Sequence, residues 1–97
     1  MRRLVLRPEA RAEIEEAALW YEEQRLGLSD GYISELEAVL HRVREAPLHF
    51  PEVESHVRRA PLHRFPYAVY FLLEEQAVVV VAVLHVRRNP EVWKRRV

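Results

Sequence analysis

The chain has 97 residues, with 15 basic and 15 acidic side chains and no cysteine. This length predicts one domain over residues 1–97, and the lack of cysteine excludes a disulfide framework and any Cys-based metal site. No signal peptide is recognisable, because Arg7 and Glu9 interrupt the short apolar segment at residues 4–6, so we expect a cytoplasmic protein.

The zero net charge conceals two halves of opposite sign. Residues 1–55 hold seven arginines and twelve acidic side chains, a net of −5, whereas residues 56–97 hold eight basic and three acidic side chains, a net of +5. Such asymmetry favours a basic surface with an acidic or polyanionic partner. Two solvated faces of opposite sign would give the same pattern.

The N-terminal half predicts a short strand at Arg3–Leu6 and then two helices. The first helix should cover residues 8–25, with a proline at its first position, and end at Gly27. Ser29 is a suitable N-cap for the second helix, which should stop before a proline-containing loop at residues 47–54. Because about three residues join them, the helices should form an antiparallel hairpin.

The C-terminal half predicts strands at residues 57–62, 64–73 and 77–86. Pro61 should make the first of these irregular or place it at an edge, and residues 74–76 should form the tight turn of a hairpin between the other two. The fold class is therefore α+β, with a helical hairpin packed on a small antiparallel sheet in the order β-α-α-β-β-β, followed by a C-terminal tail.

The last predicted strand contains eight consecutive apolar residues, 77–84, five of them valine. The run is too short to span a membrane as a helix, and it predicts a strand that is covered on both faces. The helical hairpin covers only one face. We therefore expect a protein partner or dimer mate on the other, with the tail folding back and Trp93 as a plug as the alternative. Strict alternation places Val79, Val81 and Val83 on one face and Val78, Val80, Ala82 and Leu84 on the other.

Basic side chains at the end of this strand suggest a catalytic possibility. If the strand continues to Arg87, His85 and Arg87 share a face. Arg64 begins the neighbouring strand, so the three could then converge at one end of the sheet, with Arg58 and Arg59 of the preceding strand joining them. Arginines bind phosphate through two parallel hydrogen bonds, and a neutral histidine can act as a general base. This set would suit RNA phosphodiester cleavage. Solvation of a basic strand end, or ion pairs with acidic residues, would explain the same residues without catalysis.

Other motifs predict no cofactor. His41, His49, His56 and His63 lack a short metal-ligand spacing, and the chain has no Gly-rich phosphate loop. Trp20 and Tyr21, next to Glu22 and Glu23, could have a functional role, but aromatic residues at the end of a helix are more often packing residues, and we interpret both in that way.

Four stretches together resemble the RelE/ParE superfamily, the plasmid-stabilisation toxins of bacterial type II toxin–antitoxin systems. They cover nearly the whole chain in order and spacing. The stretches are residues 17–24 followed by Gly27-Leu28; Pro47-x-x-Phe50-Pro51 followed by Arg58-Arg59; residues 65–71; and Ala82-Val83-Leu84-His85-x-Arg87-Arg88-x-Pro90-x-x-Trp93.

The resemblance implies a growth-inhibiting toxin that a cognate antitoxin neutralises, with a homodimer or a heterotetramer as possible assemblies. A disordered antitoxin segment that folds on binding would cover the free sheet face, and its acidic character would suit the basic half of the chain. The implied antitoxin-binding or target-binding residues are Arg58, Arg59, Arg88, Trp93, Lys94 and Arg95.

The superfamily has two activities. RelE-like members cleave messenger RNA on the ribosome, which would make Arg64, His85 and Arg87 catalytic; ParE-like members poison DNA gyrase and are not nucleases. Residues 85–90 replace the catalytic tyrosine or histidine expected near the terminus, and a chain of zero net charge suits a ribosome binder poorly. These departures favour the ParE-like branch and leave enzymatic activity open. A non-toxic relic or binding module is the third possibility.

Overall fold

The computed structural model, which describes residues 2–97, contains two long helices and a five-stranded sheet. The α+β class and the helical hairpin are confirmed. Across residues 2–97, neither long helix carries an apolar stretch that would let it cross a membrane. The elements are β1 (Arg3–Leu6), α1 (Pro8–Gln24), α2 (Leu28–Glu45), a single 3₁₀ turn (Pro47–His49), β2 (Glu52–Glu54), β3 (Val57–Pro61), β4 (Tyr67–Leu73), β5 (Ala77–His85) and α3 (Glu91–Lys94).

The strands form one mixed sheet in the order β1-β5-β4-β3-β2. β1 runs parallel to β5, with Val5 opposite Val79, so the prediction of a purely antiparallel sheet was wrong. β1 and β5 are distant in the sequence, so no tight turn forces them to run in opposite directions. β2, within the predicted loop, is an exposed edge strand antiparallel to β3; Ser55 and His56 turn the chain between them with φ of 53° and 65°.

The connection between α1 and α2 differs from the prediction. Gly27, with φ of +86°, is the N-cap of α2, and Ser29 lies inside the helix. The capping acceptor is instead Glu22 of α1. Its carboxylate accepts hydrogen bonds from the N–H of Gly27 (2.8 Å), the N–H of Ser29 (3.2 Å) and the hydroxyl of Ser29 (2.6 Å). A carboxylate at a helix N-terminus satisfies donors that otherwise have no partner in the helix.

This cap makes part of the stability dependent on pH. The hydroxyl of Ser29, and then the two backbone N–H groups, lower the pKa of Glu22 below its ordinary value of 4.5. A lowered folded-state pKa adds stability that is present above the ordinary value and lost as pH falls through the lowered value. We expect Glu22→Gln to be less stable than the parent at pH 7 and the difference to shrink at pH 3. Urea unfolding at both pH values measures this difference in stability. Glu37→Gln, at an exposed position, is the control and should show no such change between the two pH values. An equal loss of stability for Glu22→Gln at pH 7 and pH 3 would contradict the cap.

A bulge in β5 decides which side chains face the helices. Tyr70 pairs with Ala82, but Phe71 pairs with Val80, so Val81 is an extra residue on β5. Because the bulge shifts the alternation by one position, the predicted faces are confirmed for residues 78–81 and were wrong from Ala82 to Leu84. The residues of β5 packed in the helix-side core are Val78, Val80 and Val83; those in the opposite core are Ala77, Val79, Val81, Ala82 and Leu84.

The C-terminal tail covers the second face of the sheet. Trp93 is only 4% exposed and stacks on Tyr70 with ring centroids 5.4 Å apart and planes at 20°. Val79 and Val81 of the same face are also buried. The expectation that a partner or dimer mate must cover this face was therefore wrong, and the alternative, in which the tail folds back with Trp93 as its plug, describes the structure. The cover comes from α3, which is a single turn of helix. So short a helix has no apolar periodicity from which the sequence could have predicted it.

An ion pair holds the tail in place. Arg96 donates two hydrogen bonds to the carboxylate of Glu13 in α1, at 2.8 and 3.0 Å, and a third to the carbonyl of Val81 at 3.0 Å. Arg7 in turn donates to the carbonyl of Arg96. Because the Glu13 carboxylate also accepts the N–H of Val83, it joins α1, β5 and the tail.

Candidate binding cleft

An open cleft of about 560 Å³ lies between the second half of α1 and the end of the β4–β5 hairpin. Tyr67, the first residue of β4, lies opposite His85, the last residue of β5, and both line the cleft. The α1 side contributes carboxylates and exposed apolar side chains. The lining residues are Glu13, Glu16, Ala17, Leu19, Trp20, Tyr21, Glu23, Pro66, Tyr67, Val83, Leu84, His85 and Arg88.

Aromatic rings line the cleft continuously from α1 to β5. Trp20 meets Tyr21 edge-on at 5.2 Å between ring centroids, Tyr21 meets Tyr67 at 6.0 Å, and Tyr67 meets the ring of His85 at 5.4 Å. Burial, and next the nearby carboxylate of Glu16, raise the pKa of Tyr67. Both effects favour the neutral form of the phenol, which can donate a hydrogen bond.

A second layer of aromatic side chains supports this wall. Tyr32 of α2 is fully buried and packs against Tyr21, Phe65 and Tyr67 at 5.3–5.7 Å between centroids. Burial raises the pKa of Tyr32, and among residues 2–97 its hydroxyl has no hydrogen-bond partner. The contacts of Tyr32 with Phe65 and Tyr67 are edge-to-face, an arrangement that aromatic pairs prefer.

The charges of the cleft are unequal on its two sides. Glu13, Glu16 and Glu23 lie on α1, and Arg88 follows the end of β5. Glu13 is already neutralised by Arg96. Within the part of the chain that the structure describes, Glu16 and Glu23 form no ion pair, so the α1 side presents two uncompensated carboxylates.

Of the three residues predicted as catalytic, His85 ends β5 and Arg87 lies in the turn that follows, so the strand does not continue to Arg87 as a shared face would require. The Nδ1 of His85 accepts the backbone N–H of Arg87 at 3.1 Å, so the imidazole is held by the turn that ends the strand. The side chain of Arg87 is exposed. This hydrogen bond leaves the second ring nitrogen of His85 as the one able to contact a ligand.

Arg64 lies elsewhere. It precedes β4 in an irregular loop, where the carboxylate of Glu35 accepts the backbone N–H of Arg64 at 3.0 Å and that of His63 at 2.7 Å. Its guanidinium lies over the ring of Phe65 at 5.5 Å, and close enough to Gly31 that a Cβ there would approach it to 2.7 Å. The predicted strand was wrong at this end, because Tyr67 rather than Arg64 occupies the position opposite the end of β5.

The two arginines of β3 are also separate from His85. Arg58 lies opposite Phe71 and Arg59 opposite Tyr70, two strands away from β5. Arg58 donates to the carbonyl of Phe50 at 2.6 Å. Arg59 has a buried Nε that finds no hydrogen-bond partner among residues 2–97. The predicted convergence of basic side chains on one end of the sheet therefore does not form.

Residues 4–90 match the family model described as the ParE toxin of the type II toxin–antitoxin system parDE. The chain belongs to this family. The solved structure titled as the chromosomal ParDE toxin–antitoxin system from P. aeruginosa matches with a TM-score of 0.78 at 13% identity, over 88% of this chain and 96% of that one. No curated protein sequence matches at a significant level. The membership confirms the resemblance found from the sequence, and the structural match confirms the fold.

The remaining predicted binding residues of this ParE-family chain lie in or near the tail. Trp93 is buried against the sheet, so a partner would reach it only by displacing the tail. Lys94 pairs with Glu54 at 2.8 Å, whereas Arg88 and Arg95 are exposed. Three metal-ligating side chains do not come together anywhere in residues 2–97.

Sequence reasoning missed most of the cleft of the ParE-family chain. Tyr21 is a packing residue, with 7% exposure, but Trp20 beside it is 53% exposed, and Leu19 is 67% exposed. The sequence could have indicated this exposed surface. Leu19 and Trp20 are large apolar residues that lie outside the apolar stripe of α1, shortly before Glu22 and Glu23. Such residues indicate a contact surface more often than a core.

Proposed function

We propose that this chain is the toxin of a type II toxin–antitoxin pair, that it inhibits growth by binding DNA gyrase, and that a cognate antitoxin neutralises it. The observation that carries the proposal is the match of residues 4–90 to the ParE toxin family. Action on gyrase requires a protein-binding surface and no catalytic centre, and the cleft beside α1 has the aromatic character of such a surface.

The charges near His85 argue against messenger RNA cleavage. A nuclease must hold a polyanion, and affinity for nucleic acid depends on cations directed at the phosphates. The cleft beside His85 instead presents Glu16 and Glu23, and Arg64 packs against α2. Phosphate entering this cleft would meet two carboxylates and one arginine, so we place ribosome-dependent cleavage second.

The exposed cations outside the cleft suit an acidic antitoxin segment. Arg87 and Arg95 are exposed, lie near the C-terminal end of the chain and are not among the residues that line the cleft. A disordered acidic segment can bind such a surface by charge and order as it binds. In this proposal the antitoxin is not needed to cover the sheet, because the C-terminal tail already covers its second face. The toxin and antitoxin act in the cytoplasm.

Induction in a bacterial host tests the proposal. We expect expression of the chain alone to stop division, produce filaments and activate the DNA-damage response, and co-expression with the product of a neighbouring antitoxin gene to restore growth. Rapid loss of messenger RNA without filaments would instead support the RelE-like activity. Normal growth with soluble, folded protein would support the non-toxic binding module and overturn the proposal.

A further inference from the structure

We propose that the cleft between α1 and the β4–β5 end binds a segment of a protein partner in which a lysine or arginine lies next to a large apolar side chain. This inference does not depend on gyrase as the target, and it concerns a different surface from the exposed arginines assigned to the antitoxin. If the cleft binds none of the peptides tested below, the proposed function loses the support of the cleft but keeps the family match that carries it. If gyrase is not inhibited, the inference about the cleft still stands.

The apolar part of the argument rests on two side chains of α1. Leu19 is 67% exposed and Trp20 is 53% exposed, and both line the cleft. Neighbouring large apolar side chains exposed at the mouth of a concavity are the usual anchors of a protein contact, where tryptophan contributes more than most residue types. An apolar side chain of the partner would remove both from water.

The charge of the cleft favours a lysine or arginine in the partner segment, beside its apolar side chain. Glu16 and Glu23 are uncompensated within the described residues, and the carboxylate of Glu16 lies near enough to the phenol of Tyr67 to raise its pKa. The faces of Trp20 and Tyr67 attract an organic cation, and the carboxylates beside them add to that attraction. An acidic segment would meet repulsion at the same place.

Arg88 sets the direction in which the segment binds. It lies beyond the end of β5, whereas Glu16 and Glu23 lie on α1. A basic residue of the partner would therefore face α1, and any acidic residue would face the end of β5. Complementary charges of this kind fix register and orientation more than they raise affinity.

Three peptides of equal length test the inference on the whole chain. The first carries two arginines beside a leucine and a phenylalanine, the second has glutamate in place of both arginines, and the third has serine in place of both apolar residues. Acrylamide quenching of tryptophan fluorescence reports the contact, because Trp93 is 4% exposed and Trp20 is the accessible tryptophan.

We expect the first peptide to protect Trp20 from quenching and to bind about tenfold or more tighter than either of the others, which corresponds to about 1.4 kcal/mol. Changing both Glu16→Gln and Glu23→Gln should remove most of the preference for arginine over glutamate, and Glu37→Gln with Glu75→Gln is the matched control that should keep it. Protection by the acidic peptide at equal or higher affinity, no protection by any peptide, or protection that comes only from self-association of the chain would overturn the proposal.

Discussion

Replacing Trp93 by alanine is expected to lower the free energy of unfolding by about 3–5 kcal/mol, the usual cost of truncating a buried tryptophan. Trp93 is the largest side chain on the tail side of the sheet, where it stacks on Tyr70 and is 4% exposed. Its loss would remove the indole ring from the buried cluster on this face of the sheet, which includes Val79 and Val81. A domain of this size has only a small margin of stability, so the variant should be close to unfolded at 37 °C.

Urea denaturation followed by circular dichroism measures this loss, and the chain provides its own control. Trp20→Ala removes the same side chain from a position that is 53% exposed, so its effect should stay within about 1 kcal/mol. A hydrophobic dye should bind the Trp93→Ala variant and bind the parent chain only weakly. Equal losses for the two tryptophans would show that the tail does not cover the sheet in solution.

The second large loss of stability is expected when the ion pair between Glu13 and Arg96 is broken. Their side chains are 15% and 18% exposed, and the pair is joined by two hydrogen bonds. Glu13→Ala would leave the guanidinium of Arg96 without its anion and the N–H of Val83 without its acceptor. We expect a loss of about 3 kcal/mol, the lower end of the range for breaking a buried ion pair, because both side chains keep some contact with water.

A double-mutant cycle isolates this interaction. Arg96→Ala should cost a similar amount, and the double variant should be more stable than the sum of the two losses predicts by about 1 kcal/mol or more. The exposed pair of His41 and Glu45, 3.5 Å apart, is the control: Glu45→Ala should change stability by no more than about 0.5 kcal/mol. Strict additivity at Glu13 and Arg96 would mean that the two do not act together.

The helices and their order were predictable because their physical signals are local. Apolar residues at helical spacing, Pro8 at the start of α1 and a connection of about three residues predict a helical hairpin without knowledge of the rest of the chain. The hairpin of β4 and β5 was equally local, since a tight turn at residues 74–76 joins them. Only its start was misplaced, at Arg64 instead of Tyr67.

The features that went wrong depend on contacts between distant residues. The bulge at Val81 arises from pairing with β4, and a uniform run of valines has no residue that marks it. Gly27 rather than Ser29 is the N-cap of α2, and Glu22, on the preceding helix, accepts the N–H groups of Gly27 and Ser29. The parallel pairing of β1 with β5 likewise joins residues more than seventy positions apart.

The candidate site was only partly predictable for the same reason. The shared face of His85 and Arg87 required the strand to continue to Arg87, but β5 ends at His85 and the chain turns there. Arg64 was placed opposite the end of β5, a position that Tyr67 occupies. The acidic side of the cleft comes from α1, which lies next to β5 only in the folded chain. Charge counted along the sequence cannot show that Glu16 and Glu23 line the same cleft as His85, a residue far from both in the sequence.

The most direct test of the central claim, that this ParE-family chain acts by binding gyrase and not by cutting RNA, is a supercoiling assay with purified gyrase. One preparation of the chain is added in increasing amounts to gyrase with relaxed plasmid and, in parallel, to a purified translation system with labelled messenger RNA. The account predicts dose-dependent loss of supercoiled product while the messenger stays intact. Unimpaired supercoiling at excess toxin, with messenger RNA cut in a way that His85→Ala abolishes, would contradict it.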